Sequence, residues 1–350
     1  FIAGWISLWA GFTAAIAFSA IALETYLAPA VAGGGLPPHL IASLAIAVAA
    51  AAHGLQVKYG AAMQNFAVAL KLLFIGGFIL WAGTATQPGN WAGVQSFRTA
   101  APPSLSLPVL ASALMWISFS YSGFNASIYV ASESGGGGRS VAQAMLYGTL
   151  LIALVYLLLN AVFLFAPSPA AIAGREDVAA IAARVLGGGA LEAVMRGIIV
   201  LALFTSVSAM VMAGPRVYAQ MAEDGLMPAP LRFSGTTPVA AIALQAGLAL
   251  AVVWTTGLRE LLSYLSLTLG LSTALTVGSL FHVVRRAGAD RGRLPGYPWA
   301  PLVYVCCTVL LAALAAEENP REMLAALLTI ASAVLVYLLF GGKKPFAPDT

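Results

Sequence analysis

Charged side chains make up only 9% of these 350 residues, against 60% hydrophobic. So few polar groups cannot coat a water-soluble globule, and with a mean hydropathy of +0.90 the composition describes a polytopic membrane protein. Cysteine is nearly absent. Cys306 and Cys307 are adjacent in an apolar run, where they cannot form an ordinary structural cross-link and have no His or carboxylate nearby to complete a metal site. The histidines His39, His53 and His282 are scattered near span ends, with no metal-ligand spacing. There is no HExxH, no paired Asp and no nucleophile elbow, so neither enzymatic chemistry nor a cofactor or metal is expected. A net charge of +4 spread over scattered Lys and Arg is what membrane-protein loops give, and does not suggest nucleic acid. No basic segment precedes a short apolar core and cleavage site, so Phe1 does not open a signal peptide. Phe1 already lies in an apolar run with no initiator Met, and the expectation is a chain cut at its N-terminus.

Long apolar runs are abundant. Ten can be placed, each about long enough to cross a ~30 Å hydrocarbon core as a helix. Lettered A to J, they cover about Ile2 to Leu27, Leu40 to Val57, Ala61 to Ala85, Leu107 to Ala131, Ala144 to Ala166, Leu191 to Met221, Val239 to Thr256, Leu261 to Val284, Pro301 to Ala316 and Met323 to Phe340. Residues 1–350 read as one transmembrane domain. Basic residues set the orientation. Lys58, Arg139, Arg216, Arg232, Arg285, Arg286, Arg291, Arg293, Lys343 and Lys344 fall on one side, and only Arg98, Arg175, Arg184, Arg196, Arg259 and Arg321 on the other. The first side is read as cytoplasmic, with the C-terminus. The loop from Pro167 to Ala190 is then external, with a short surface helix over Asp177 to Leu186.

Span D carries the strongest local signal. Its middle holds Ser118, Ser120, Ser122, Gly123 and Asn125, at a depth where lipid offers the backbone no alternative partner. Broken helices at that depth are tolerated where protein or a wet cavity surrounds them, and in transporters they build substrate sites. Phe119, Ser120, Ser122, Gly123, Phe124 and Asn125 are therefore the candidate substrate-binding residues. Freed carbonyls there attract a cation and freed amides an anion, and the two rings could close an apolar pocket. The same small residues would also permit close helix packing.

Lys71 is the only full charge well inside a span, roughly 15 Å from the start of C. An amine at that depth is a candidate proton carrier unless the span boundary is misplaced. Helix F brings Thr205, Ser206 and Ser208 to mid-membrane, where hydroxyls can coordinate a cation or simply bond their own backbone. The run Ser134 to Ser140, SGGGGRS, lacks the Gly-Lys-Ser/Thr ending of a phosphate loop and reads as a flexible connector. Glu24, near the outer end of A, reads as interfacial.

Four segments carry a family likeness: FSYSGFNASIYVASE at Phe119 to Glu133, MVMAGPRVYAQMAEDGLMP at Met210 to Pro228, LPGYPWAPLVYV at Leu294 to Val305 and QNFAVALKLLFIGG at Gln64 to Gly77. Together they resemble an amino acid permease of the amino acid-polyamine-organocation family, nearest its bacterial and L-type branches. The resemblance implies an all-α, inverted five-helix-repeat transporter fold of which this chain holds helices three to twelve. In such a repeat any helix and the one five later point oppositely, so A pairs with F and the partner of D lies before A. It implies that Phe119 is similar to an aromatic gate, and that Gly123, Phe124 and Asn125 fall in the unwound site. Lys71 would occupy the region that sodium uses in sodium-coupled relatives, with Ser206 and Ser208 on the flanking helix. Two departures stand out: SGGGGRS replaces a basic, Asn-Pro-containing loop, and the glycine-rich break of the first family helix is absent.

The expected function is a secondary transporter of amino acids in a plasma (inner) membrane, proton-coupled or an exchanger, with an amino acid, a proton and the lipid bilayer as partners and no cofactor. A polyamine or organic-cation transporter would want acidic residues in the D break, and Phe119 to Asn125 has none. A non-transporting membrane scaffold or sensor is the alternative from another class.

Overall fold

The computed structural model describes residues 1–32, 35–54, 60–84, 91–99, 106–123, 137–235, 237–287 and 296–340. Apolar runs rich in Ala and Leu form helices because, without water, only intrahelical bonds satisfy the backbone. The first, α1, is continuous but not uniform: α-helical over Ile2–Ile6, π-helical over Ser7–Ala14 and α-helical again over Ala15–Ala32. It is followed by α2 (Leu40–Gly54), α3 (Gly60–Thr84), the short α4 (Ala92–Thr99), α5 (Leu107–Ser120) and α6 (Gly137–Phe165). Then come α7 (Pro169–Ile172), α8 (Val178–Glu223), α9 (Val239–Val253), α10 (Leu258–Ala287), α11 (Trp299–Glu318) and α12 (Pro320–Phe340). The chain is an all-helical, multi-pass membrane protein. Among the described residues six helices are long and apolar enough to cross a bilayer, and four shorter apolar ones accompany them.

The centre is built from small residues. Ala10, Ala14, Ala17 and Ala20 of α1 meet Ala42, Ile46 and Ala49 of α2, Val207 and Val211 of α8, and Ala249 and Val253 of α9. Alanine at these contacts lets helix backbones approach closely, which is what drives association where lipid is as apolar as the side chains. A second cluster joins Phe78 and Ala82 of α3 to Val162 of α6, Ala166 just beyond its end, and Ala179, Ala183 and Met195 of α8. A third joins Ala111 and Met115 of α5 to Leu267 of α10, Ala312 and Ala315 of α11 and Ala326 of α12. Large apolar side chains such as Leu150, Leu154 and Leu157 of α6, and Leu324 and Leu328 of α12, face outward, as a lipid-solvated surface requires.

Three local features depart from the sequence expectation. The helix of span E begins at Gly137, so the second half of the SGGGGRS run is its first turn rather than a connector. The π-helical stretch in α1 is invisible to hydropathy, since the residues remain apolar while the backbone bonding changes from i→i+4 to i→i+5. The loop between C and D contains α4, whose Gly93 sits so close to the Leu164 carbonyl and the Phe165 backbone that a Cβ would collide with them. The short helix expected before span F is present as the first part of α8. It is broken from the long part at Gly187 (φ −145°, ψ 18°) and Gly188 (φ 68°, ψ −163°).

The two ends of the bundle are distinct. At one, the Glu24 carboxylate accepts hydrogen bonds from the His39 and Ala42 amides at 2.7 and 2.9 Å, so a side chain of α1 caps α2. Near it, Thr25 donates to Glu176 (3.3 Å) and Trp254 donates to Ser43 (3.2 Å). At the other, Arg232 donates to the Ala222 carbonyl at 3.1 Å.

Candidate functional site

Helix α5 opens at Ser106, whose side chain accepts from the Val109 amide (3.4 Å), with Pro108 in the first turn, where its missing N–H costs nothing. It runs only 14 residues, or roughly 21 Å, which is short of a ~30 Å core. The last turn tightens: the Tyr121 amide bonds to the Ser118 carbonyl (3.2 Å) and the Ser122 amide to the Phe119 carbonyl (2.9 Å). Gly123 follows at φ 102°, a value L side chains avoid. Hydroxyls add further bonds to the carbonyls of this last turn. Ser120 donates to Ile117 (2.7 Å), Ser122 donates to Phe119 (2.6 Å), and the Tyr156 hydroxyl of α6 donates to the Ser120 carbonyl (3.1 Å). The Tyr121 and Tyr156 rings meet edge to face at 5.3 Å. Phe119 turns the other way, edge-on to Phe18 of α1 at 5.9 Å, and joins the central alanine-rich cluster. Phe124 and Asn125 lie outside the described residues.

Lys71 lies about eleven residues into α3, roughly 17 Å from its start. Its Nζ donates to the Thr205 hydroxyl of α8 at 3.0 Å, and Thr205 in turn donates to the Ala202 carbonyl at 2.8 Å. The amine is therefore paired with Thr205, and not with Ser206 or Ser208. Ser206 donates to the Ala202 carbonyl (3.0 Å), and Ser208 shares a 2.9 Å hydrogen bond with His53 Nε2 of α2. The three neighbouring hydroxyls thus do separate work: one receives the lysine, one closes on its own helix, and one ties α8 to α2. Among the described residues no cluster of His, Cys, Asp and Glu could hold a metal ion.

Two polar assemblies were not foreseen. The first holds α5 to α10 and α11. Trp116 Nε1 donates to the Ser263 hydroxyl (3.1 Å), Ser263 donates to Asn319 Oδ1 (2.9 Å), and Asn319 Nδ2 donates to the Ser112 hydroxyl (2.9 Å). Ser112 and Ser263 are buried, and the Arg259 guanidinium lies 5.5 Å from the Trp116 ring centroid. The second bridges the glycine break in α8. Arg196 pairs with Asp177 at 2.7 Å and with Glu192 at 3.0 Å, while Arg175 reaches Asp177 at 3.0 Å. Burial alone would raise the Asp177 carboxyl, but hydrogen bonds from Arg196 and Arg175 outweigh it and hold the group below its ordinary value.

A family model described as amino acid permease matches residues 1–340. Among curated proteins the chain is similar to the serine/threonine exchanger SteT of Bacillus subtilis (strain 168), with 26% identity over 259 residues. That alignment covers 71% of this chain and 57% of SteT, so the chain spans a little over half the length of this relative.

Proposed function

The chain belongs to the amino acid permease family, and from that premise we propose that it carries amino acids across a plasma membrane by alternating access, within an inverted-repeat fold and with its C-terminus in the cytoplasm. The observation that carries the reading is the end of α5: a helix too short to span stops at Ser120, and the chain turns at Gly123 with φ 102°. Such an interruption inside a membrane domain supplies backbone groups to a substrate's charged ends. Phe119, Ser120, Ser122, Gly123, Phe124 and Asn125 form the substrate region in this reading. Lys71, with Thr205 beside it and Ser206 and Ser208 on the same helix, carries the coupling. An amine already bonded to a hydroxyl can stand where a transported cation otherwise would, which favours proton-linked transport or exchange without sodium. SteT is a serine/threonine exchanger, which supports exchange as the mode and small hydroxyl amino acids as the first substrates to try.

The test is uptake of radiolabelled serine, threonine and leucine into proteoliposomes, preloaded or empty, with sodium replaced by choline. Uptake should exceed that of protein-free vesicles, rise on preloading and persist in choline. Failure to move any amino acid under every condition would overturn the reading in favour of a non-transporting scaffold, and strict sodium dependence would remove the proposed role of Lys71.

A further inference from the structure

A cavity of about 400 Å³ lies between α1, α9, α10 and α12, with no residue of α5 in its lining. This is within the range of ligand pockets, ~300–1,000 Å³. Its apolar lining includes Trp9, Val252 and Leu261, and its mouth carries Glu260, Arg321 and Glu322. The carboxylates and the guanidinium stand in the first turns of α10 and α12, and the first turn of a helix that crosses a bilayer belongs near the headgroup level. None of the three makes an ion pair with a described residue. Glutamates suit the positive end of a helix, so they alone would mean little. Arg321 is at the wrong end of its helix for the dipole, and it gains by meeting an anion there.

The floor supplies an independent sign. Thr13 lines the cavity at 0% exposure, and its hydroxyl has no hydrogen-bond partner among the described residues. A buried hydroxyl left unbonded is costly and marks a place where another polar atom belongs. Other hydroxyls in the lining are engaged: Tyr264 and Thr329 share a 2.9 Å bond, and Thr256 donates to Val252. Thr13 and Trp9 belong to the π-helical stretch of α1, a bonding pattern that recurs at functional sites. From Arg321 to Thr329 the wall extends inward by about 12 Å.

We propose that this cavity binds a zwitterion bearing a primary ammonium and an anionic group at the head of an apolar body. Glu260 and Glu322 receive the ammonium, Arg321 the anionic group, and the apolar lining the body. The chemistry has two sources: an aminophospholipid from the bilayer, or an apolar amino acid from solution. The depth of the wall suits the lipid, whose chain continues past the headgroup. None of the lining belongs to the α5 region, and occupancy is read by binding, so its failure would leave the transport reading untouched.

The purified protein is titrated with phosphatidylethanolamine, phosphatidylcholine and phosphatidylglycerol of identical chains, and separately with leucine, with bound ligand counted by native mass spectrometry. Phosphatidylethanolamine should bind about tenfold more tightly than phosphatidylcholine, whose methylated nitrogen cannot donate to carboxylates. Glu260→Gln with Glu322→Gln should abolish that preference, and Arg321→Gln should weaken both lipids. Brominated phosphatidylethanolamine should quench fluorescence that is missing in Trp9→Phe. Leucine binding with the same dependence on the carboxylates would support the site and assign its source to solution. The Gln changes are isosteric and lie at the mouth, so folding is checked by an unchanged melting curve. Equal binding of phosphatidylethanolamine and phosphatidylcholine with no leucine bound, or a preference that survives the double substitution, overturns the proposal.

Discussion

The Lys71 amine of α3 donates to the Thr205 hydroxyl of α8 at 3.0 Å, and Thr205 passes its own hydrogen to the Ala202 carbonyl. A hydroxyl has one hydrogen and two lone pairs, so Thr205 can hold both bonds at once. Thr205→Val keeps the shape and removes the acceptor. Losing a hydrogen bond to a charged group costs about 1.5–3 kcal/mol, which is enough to change how readily the amine holds its proton. In proteoliposome uptake across a pH series, Thr205→Val and Lys71→Ala should both flatten the pH profile, whereas Thr205→Ser and Ser206→Ala should retain it. An unchanged profile in Thr205→Val would make the contact structural only.

Gly123 adopts φ 102°, and no described residue stands within 4 Å of where a Cβ would be. Among the described residues, substitution there acts through the backbone. Gly123→Val should cost about 1–3 kcal/mol of strain at the turn and reduce amino acid uptake. Gly123→Asn should do less, because Asn tolerates positive φ better than a β-branched residue. Comparing uptake with surface expression separates the two effects. Equal activity of Val and Asn variants would show that the turn conformation is not needed.

Hydropathy made most of the architecture legible, because a helix that crosses lipid must advertise its length in apolar residues: the spans expected from Leu40 and Val239 begin where their helices do, and the one expected from Pro301 lies within the helix Trp299–Glu318. The four-segment resemblance likewise led to the family that residues 1–340 match. Facing was harder to read. Successive residues on a helix are separated by ~100°, so one residue decides whether Thr205 or Ser206 meets Lys71, and span limits carry larger uncertainties than that. Pairings across distance left no signal at all. Asp177 and Arg196 read as two external charges until the Gly187–Gly188 break folds one helix against the next, and Asn319 lies between the last two spans, where nothing in the sequence marks its bonds to Ser112 and Ser263. A close look at buried-polar candidates near span ends would have found Asn319, the only Asn between two apolar runs at that end of the sequence.

The Asp177–Arg196 pair should make stability depend on pH in a defined direction. An unfolded aspartate titrates near ~3.9, and in the folded protein the group sits lower. Its contribution is therefore fully present above the unfolded value and is lost as pH falls through the folded one. Both side chains are largely shielded, at 12% and 8% exposure, so Arg196→Ala, which leaves a carboxylate buried without its main partner, should cost about 3 kcal/mol. Thermal melts in detergent between pH 3 and pH 7 should show a gap between parent and Asp177→Asn that closes toward the acid end. A gap independent of pH would mean that the carboxylate charge is not what stabilises the junction.

The network through Asn319 bears on movement. Alternating access by rocking α5 against α10 requires the contacts between them to be remade, and here Ser112, Asn319, Ser263 and Trp116 form a continuous chain of bonds across that interface. Removing the hub leaves Ser112 without the amide that reaches it and Ser263 without its acceptor, so Asn319→Ala should lower stability by about 1–3 kcal/mol. A purely structural role predicts that much and nothing else. If the network holds α5 closed on α10, its loss should also shift the population toward an arrangement in which they separate. Met115 reports this, since it is 2% exposed and its methyl lies where a Cβ on Gly270 of α10 would fall, 2.8 Å away. Cys306 and Cys307 are exposed and must first be replaced by serine. In that background Met115→Cys should react slowly with a maleimide, and adding Asn319→Ala should speed the reaction several-fold at temperatures well below the melting transition. Faster labelling only as the protein melts would leave Asn319 a packing residue, and labelling that accelerates in the native range would make it a latch.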